Sequence, residues 1–205
     1  MLLLEAFLTS LVLVGASELG DKAQLTAWSL LLKFRKKRAR VFAGTVLALA
    51  VAAAIAVVFG AGIQEFVNPR LLEVGAALLF LGLCVYTLFE WGGDGAIHHE
   101  FGKEIDGGKP GNNVFVTAFT RAFVSEFGTK TQLVTVLLTV NYPAGRTEVF
   151  LGVVSGIIVV TAISGILGKK VNELHHAHNV VRFVSAASFG LFGMLVLIKN
   201  FIIAG

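Results

Sequence analysis

Three ionisable side chains within five positions, Glu18, Asp21 and Lys22, stand in a run that is otherwise almost wholly apolar from Leu2 to Leu32. A charge at the centre of a bilayer costs roughly 2.5–3.5 kcal/mol on insertion scales, so such groups face a bundle interior and mark a functional site. The stretch reads Ser17-Glu18-Leu19-Gly20-Asp21-Lys22-Ala23-Gln24-Leu25. It returns as Ser125-Glu126-Phe127-Gly128-Thr129-Lys130-Thr131-Gln132-Leu133, centred in the apolar run from Val114 to Val140.

On a helix Asp21 lies about 60° to one side of Glu18 and Lys22 about 40° to the other, so two carboxylates and an ammonium share one face. Ser17 and Gln24 extend that stripe. In the second copy Glu126, Thr129, Lys130 and Gln132 fall at the same angles, with a hydroxyl where the first copy has a carboxylate. If the copies meet across a pseudo-two-fold axis, Glu18, Asp21 and Glu126 converge with Thr129, Gln24 and Gln132 beside them. An all-oxygen set suits a hard divalent cation such as Ca²⁺, Mn²⁺ or Mg²⁺ rather than metals that prefer thiolate or imidazole. Lys22 and Lys130 are expected to pair with the carboxylates when no ion is bound. Burial favours the protonated carboxylate and a nearby cation disfavours it, so proton and metal compete, which is the physical basis of antiport. Arg121, roughly 10 Å into its span, either reaches back to the headgroups or neutralises the empty site. The rival structural reading is a salt-bridge network that only locks the bundle, for which a second copy of the motif is unnecessary.

The elements that hold these residues follow from composition. The chain has 205 residues, 56% hydrophobic and 15% charged, with mean hydropathy +0.81. That is too apolar for an ordinary soluble domain and reads as an integral membrane protein. Net charge is +4, but six of the 17 basic residues form one run, Lys33, Arg35, Lys36, Lys37, Arg38 and Arg40, between two apolar segments. This is a juxtamembrane loop, and a nucleic-acid partner is not expected. The single cysteine, Cys84, excludes an intrachain disulfide, a thiolate cluster and a dithiol electron carrier; it reads as a small buried hydrophobe. Residues 1–16 lack the basic start of a cleaved leader.

Apolar runs long enough for about 30 Å of hydrocarbon occur near 2–32, 41–63, 71–91, 114–140, 148–167 and 179–203. The fold class expected is all-α, with six transmembrane helices. The first run is longer than a bilayer needs, and Gly15 and Gly20 are its cheapest breaking points, as Gly128 is in the fourth. Residues 92–113 form a polar, glycine-rich loop between halves 1–91 and 114–205. The halves repeat: Glu18 and Glu126, Val41-Phe42-Ala43-Gly44 and Val149-Phe150-Leu151-Gly152, and Gly60 and Gly168 all stand 108 positions apart. Three spans per half make the second copy enter from the opposite side, an inverted repeat with its site at the midplane on interrupted helices. The odd loops carry eleven basic residues (those six, Lys103, Lys109, Lys169, Lys170 and Arg182) against Arg70, Arg146 and Lys199 opposite. By the positive-inside rule the odd loops are cytoplasmic and both termini lie outside, in what reads as a prokaryotic plasma membrane.

The Glu-x-Gly-Asp-Lys-x-Gln core, its echo in the fourth span and the three-plus-three layout resemble the GDT-type family of manganese and calcium transporters, distant kin of the lysine-exporter superfamily. The likeness extends over essentially the whole chain. It implies Mn²⁺ or Ca²⁺ transport in exchange for protons, with the motif acids as ligands. It assigns Glu18, Gly20, Asp21 and Lys22, then Glu126, Gly128, Lys130 and Thr131. Two positions depart from the family motif: Ala23 replaces Ser or Thr, and Thr129 replaces Asp.

Other polar residues read more plainly. His98, His99, His175, His176 and His178 are expected to be solvated loop histidines rather than a metal-sensing patch. Glu5, Glu65, Glu73 and Glu90 mark span ends, and Trp28 and Trp91 are interface anchors. The expectation is a non-enzymatic, cofactor-free exporter of Mn²⁺ and/or Ca²⁺, with the divalent cation and the proton as its substrates and the bilayer as its setting. The alternative is an exporter of a small organic solute such as a basic amino acid, since clustered carboxylates also bind amines.

Overall fold

A computed structural model describes residues 2–18, 27, 30–31, 33–89, 113–126, 129–167 and 175–203. The described chain is helical: α1 (Leu2–Glu18), α2 (Arg38–Phe66), α3 (Pro69–Phe89), α4 (Val114–Glu126), α5 (Lys130–Asn141), α6 (Arg146–Leu167) and α7 (His175–Ile203). Short 3-10 turns, Arg35–Lys37 and Pro143–Gly145, lead into α2 and α6. Among the described residues four helical stretches, Arg35–Phe66, Pro69–Phe89, Pro143–Ile163 and Phe183–Asn200, are long and apolar enough to cross a membrane. The fourth apolar run is divided, because α4 ends at Glu126 and α5 begins at Lys130.

Two expectations change. Gly15 lies inside unbroken α1, where its backbone takes a close contact from α6: a Cβ on Gly156 would lie 3.2 Å from the Gly15 nitrogen and 2.9 Å from the Leu11 carbonyl. His175, His176 and His178 belong to the first turn of α7 rather than to a loop. Gly20, Gly128, His98, His99, Trp28, Trp91 and Glu90 lie outside the described residues.

The helices pack in a definite order: α1 runs along α6, α2 lies against α4, α5 and α6, and α3 pairs with α7. Small residues set the closest approaches, as they do where lipid tails are no less apolar than leucine. A Cβ on Gly44 of α2 would fall 2.6 Å from the Phe115 carbonyl and 3.1 Å from Ala118 Cβ of α4. One on Gly152 of α6 would run into the Phe7 carbonyl and lie 2.9 Å from Ser10 Cβ of α1. The α3–α7 pair is filled by Phe80, 4.8 Å from Phe192 in an edge-to-face contact, with Gly193 against the Ala77 carbonyl. Cys84 is half-buried there, opposite Gly190.

One core of Leu13, Val14, Leu49, Phe80, Val134, Leu138, Val153 and Phe189 occupies the bundle. A second cluster of Leu30, Leu31, Val41, Val114 and Ala118 sits where α2 and α4 begin. Large apolar side chains also cover the outside, with Val58 72%, Phe89 75% and Leu191 65% exposed, which is the surface a hydrocarbon solvent requires.

Candidate functional site

The two motifs meet. Ser17 near the end of α1 and Thr131 in the first turn of α5 have their hydroxyls 3.3 Å apart, both side chains buried, although 114 positions separate them in sequence. Glu18, the last residue of α1, is 0% exposed, and Glu126, the last residue of α4, is 3% exposed. A carboxylate is almost never buried so completely unless it is paired.

Each local conformation has a cause. Ser17 Oγ donates to the Val14 carbonyl at 2.9 Å, and Ser125 Oγ, 108 positions later, to the Ala122 carbonyl at 3.0 Å. Both serines therefore satisfy themselves on their own helix, a pattern that weakens the helix slightly just before the acid. Ser185 of α7 donates to the Ala16 carbonyl in the last turn of α1. At the second motif Thr129 is extended, with φ −77° and ψ 164°, and caps α5 by accepting the Gln132 N–H at 3.4 Å. Its hydroxyl hydrogen goes to Glu126 Oε1 at 2.7 Å. The break thus puts a carboxylate at the negative C-terminal end of α4, where a cation is favoured.

The remaining expected residues fall as follows. Lys130 opens α5, half-buried, with its ammonium 5.3 Å from the Tyr86 ring centroid of α3, a cation–π distance. Gln132 is half-buried one turn after the break, and Arg121 is half-buried on α4. Asp21, Lys22 and Gln24, like Gly20 and Gly128, lie outside the described residues. Among the described residues no three His, Cys, Asp or Glu side chains gather at one point. Glu18, Glu126, Thr129, Thr131 and Ser17 supply oxygen only, the donor chemistry of a hard cation.

Sequence reasoning did not single out Ser185 or Tyr86. Neither lies in a motif, and Ser185 reaches the first motif only through the packing of α7 on α1. Thr131 was legible as a motif position; its contact with the other copy was not.

The family model described as "Divalent cation/proton antiporter GDT1" matches residues 6–94 and 114–203. The chain is 27% identical over 160 residues to the "Putative manganese exporter" of Vibrio cholerae, covering 78% of this chain and 74% of that one. It is 24% identical over 238 residues to a GDT1-like protein of Schizosaccharomyces pombe, covering 94% and 89%. No solved structure matches the chain.

Proposed function

The chain belongs to the divalent cation/proton antiporter family GDT1, and from that premise we propose that it exports Mn²⁺ and/or Ca²⁺ from the cytoplasm through one carboxylate site shared by its two motifs. The family is one of transporters, not enzymes. What carries the reading of the site is the 3.3 Å contact between Ser17 and Thr131, which joins the motifs with Glu18 and Glu126 buried beside it. Glu18, Asp21 and Glu126 hold the ion, and Thr129, Gln24 and Gln132 supply neutral oxygens. Lys22, Lys130 and Arg121 neutralise the acids when the ion has gone. Protons compete for the same carboxylates, so release of metal to one side and uptake of protons from it are a single exchange.

The architecture is six spans in two inverted halves, with Gly20 and Gly128 at the helix breaks. Its support is the offset of 108 positions, which recurs in side-chain contacts. Gly44 faces Phe115, Ala118 and Phe119, and Gly152 faces Phe7, Ser10 and Leu11, the same set shifted by that offset. The segments matched by the family model begin the same distance apart. Manganese as the cargo draws on the name of the Vibrio cholerae relative. Export as the direction draws on the same name, while the positive-inside reading puts the basic run 33–40 in the cytoplasm.

The test is reconstitution into liposomes with an internal pH dye. A proton gradient should drive Mn²⁺ or Ca²⁺ movement, and a gradient of either metal should drive proton flux in return. Lysine movement without metal movement would replace this reading with the organic-solute exporter.

A further inference from the structure

Resting on the carboxylate site proposed above, we propose that substrate passes between that site and the outer face along the seam of α2 and α5, lined by Thr131, Thr135 and Thr139 and latched by Gln64 with Arg146. The three threonines recur every fourth residue on one face of α5 and are 3%, 1% and 0% exposed. Thr131 meets Ser17 at the motif end. Thr135 donates to the Thr131 carbonyl at 2.8 Å and Thr139 to the Thr135 carbonyl at 2.9 Å. While the seam is shut Thr135 and Thr139 are satisfied by their own helix and Thr131 meets Ser17 of α1, so a polar stripe can be buried at little expense. When the seam opens, the same oxygens face an ion that must shed water to move.

The far end of the stripe is closed by a device that the sequence explains. The Thr139 carbonyl would accept from residue 143 if α5 continued, but Pro143 has no N–H. Gln64, in the last turn of α2, supplies the missing donor: its Nε2 bonds the Thr139 and Val140 carbonyls, each at 3.0 Å. Its Oε1 accepts from Arg146 at the start of α6. One side chain so ties α2, α5 and α6 together. Arg146 is half-buried at this junction. Just inside the latch, Gly60 lets α2 press on α5, where a Cβ would lie 3.0 Å from both Thr139 Cβ and the Val136 carbonyl.

The other half of the chain lacks this stripe. At the offset of 108 positions Thr131, Thr135 and Thr139 correspond to Ala23, Ala27 and Leu31. Ala27 and Leu31 are buried, Leu31 within the apolar cluster at the opposite end of the bundle. At these repeat-related positions the hydroxyls therefore stand in one half only, on the helix that leads to the Pro143–Gly145 turn.

The experiment uses full-length protein in oriented vesicles with Mn²⁺ as the probe, comparing Thr135→Val, which keeps shape and loses the hydroxyl, with Thr135→Ser. Thr135→Val should slow exchange at saturating Mn²⁺ by about tenfold with apparent affinity unchanged, and Thr135→Ser should restore the rate. A purely structural threonine would leave the rate of the folded valine variant at wild type, which overturns the proposal. In a Cys84→Ser background, Thr135→Cys should react with a membrane-impermeant thiol reagent from the side of the 143–145 turn, faster during exchange than at rest. Adding Gln64→Leu should speed that reaction at rest. Labelling that ignores turnover, comes only from the opposite face, or is indifferent to Gln64→Leu overturns the proposal even if Thr135→Val fails to fold. Glu126→Gln, assayed alongside, reports separately on the carboxylate site: normal exchange there with slow Thr135→Val would remove the site and keep the route.

Discussion

Thr129 donates its hydroxyl hydrogen to Glu126 Oε1 at 2.7 Å while its own Oγ1 accepts the Gln132 N–H at the start of α5. One side chain thus caps a helix and holds a carboxylate across the break between α4 and α5. Thr129→Asp keeps the cap, since aspartate caps as well as threonine, but sets a second acid beside Glu126. In the proposed site three carboxylates, two lysines and a divalent ion would leave the occupied state near +1, and a fourth acid would bring it close to neutral. Tighter apparent Mn²⁺ or Ca²⁺ binding, slower turnover at saturating ion and a steeper pH dependence are expected, because the added acid must be protonated or paired before the ion leaves. Equilibrium binding and exchange rates across pH 6 to 8, about the range in which proton gradients operate, check this. No change in any of the three would mean that position 129 does not face the ion.

Glu18→Gln and Glu126→Gln each remove, at constant shape, a charge proposed to hold the ion. Both variants should insert and stay folded while cation exchange falls to the background of empty vesicles. Both side chains are buried, at 0% and 3% exposure, and removing one member of a buried charge pair leaves the other uncompensated, so thermal stability in detergent without cation should fall while the fold is kept. Near-normal uptake by either variant would remove that glutamate from the site.

The contact between Ser17 and Thr131 is the measurable joint between the halves. Ser17→Ala, Thr131→Val and the double variant form a cycle whose coupling in folding stability should be about 0.6 kcal/mol, the average for hydrogen bonds between membrane helices. A coupling of zero, with transport intact, would mean that the two hydroxyls are neighbours without being partners.

How far this was legible differs by residue. Glu18, Glu126 and the offset of 108 positions were readable because a charge in an apolar run is expensive and a repeated one cannot be accidental. The division of the fourth span was foreshadowed by Gly128, yet the residue that shapes its far side is Thr129, whose capping role depends on where α5 begins. Gln64 was not singled out in the sequence, and Arg146 counted only as a basic residue on the side opposite the odd loops. Their partnership comes from Pro143, which leaves a carbonyl in want of a donor, and only the packing of α2 on α5 says which side chain supplies it. Gly15 was misjudged as a hinge because glycine is cheap both at breaks and at close contacts, and sequence alone does not separate these uses.

That distinction yields the last prediction. Gly44 and Gly152 lie where a Cβ would strike the backbone carbonyls of Phe115 and Phe7, whereas nothing lies within 4 Å of a Cβ at Gly75 or Gly82. A backbone oxygen cannot rotate away as a side chain can, so alanine at either contact must push two helices apart. Overpacking of this kind costs about 1–3 kcal/mol. Gly44→Ala and Gly152→Ala should therefore each lower the melting temperature in detergent and reduce the yield of folded protein. Gly75→Ala and Gly82→Ala should be neutral or slightly stabilising, because alanine is a better helix former by about 1 kcal/mol. The two damaging substitutions should also match in size, since each presses on the equivalent set of atoms in the other half. Thermal unfolding of the four variants reads all of this at once. A Gly152→Ala protein as stable as wild type would place α1 and α6 further apart than described, and would take the motif on α1 away from its partner on α5.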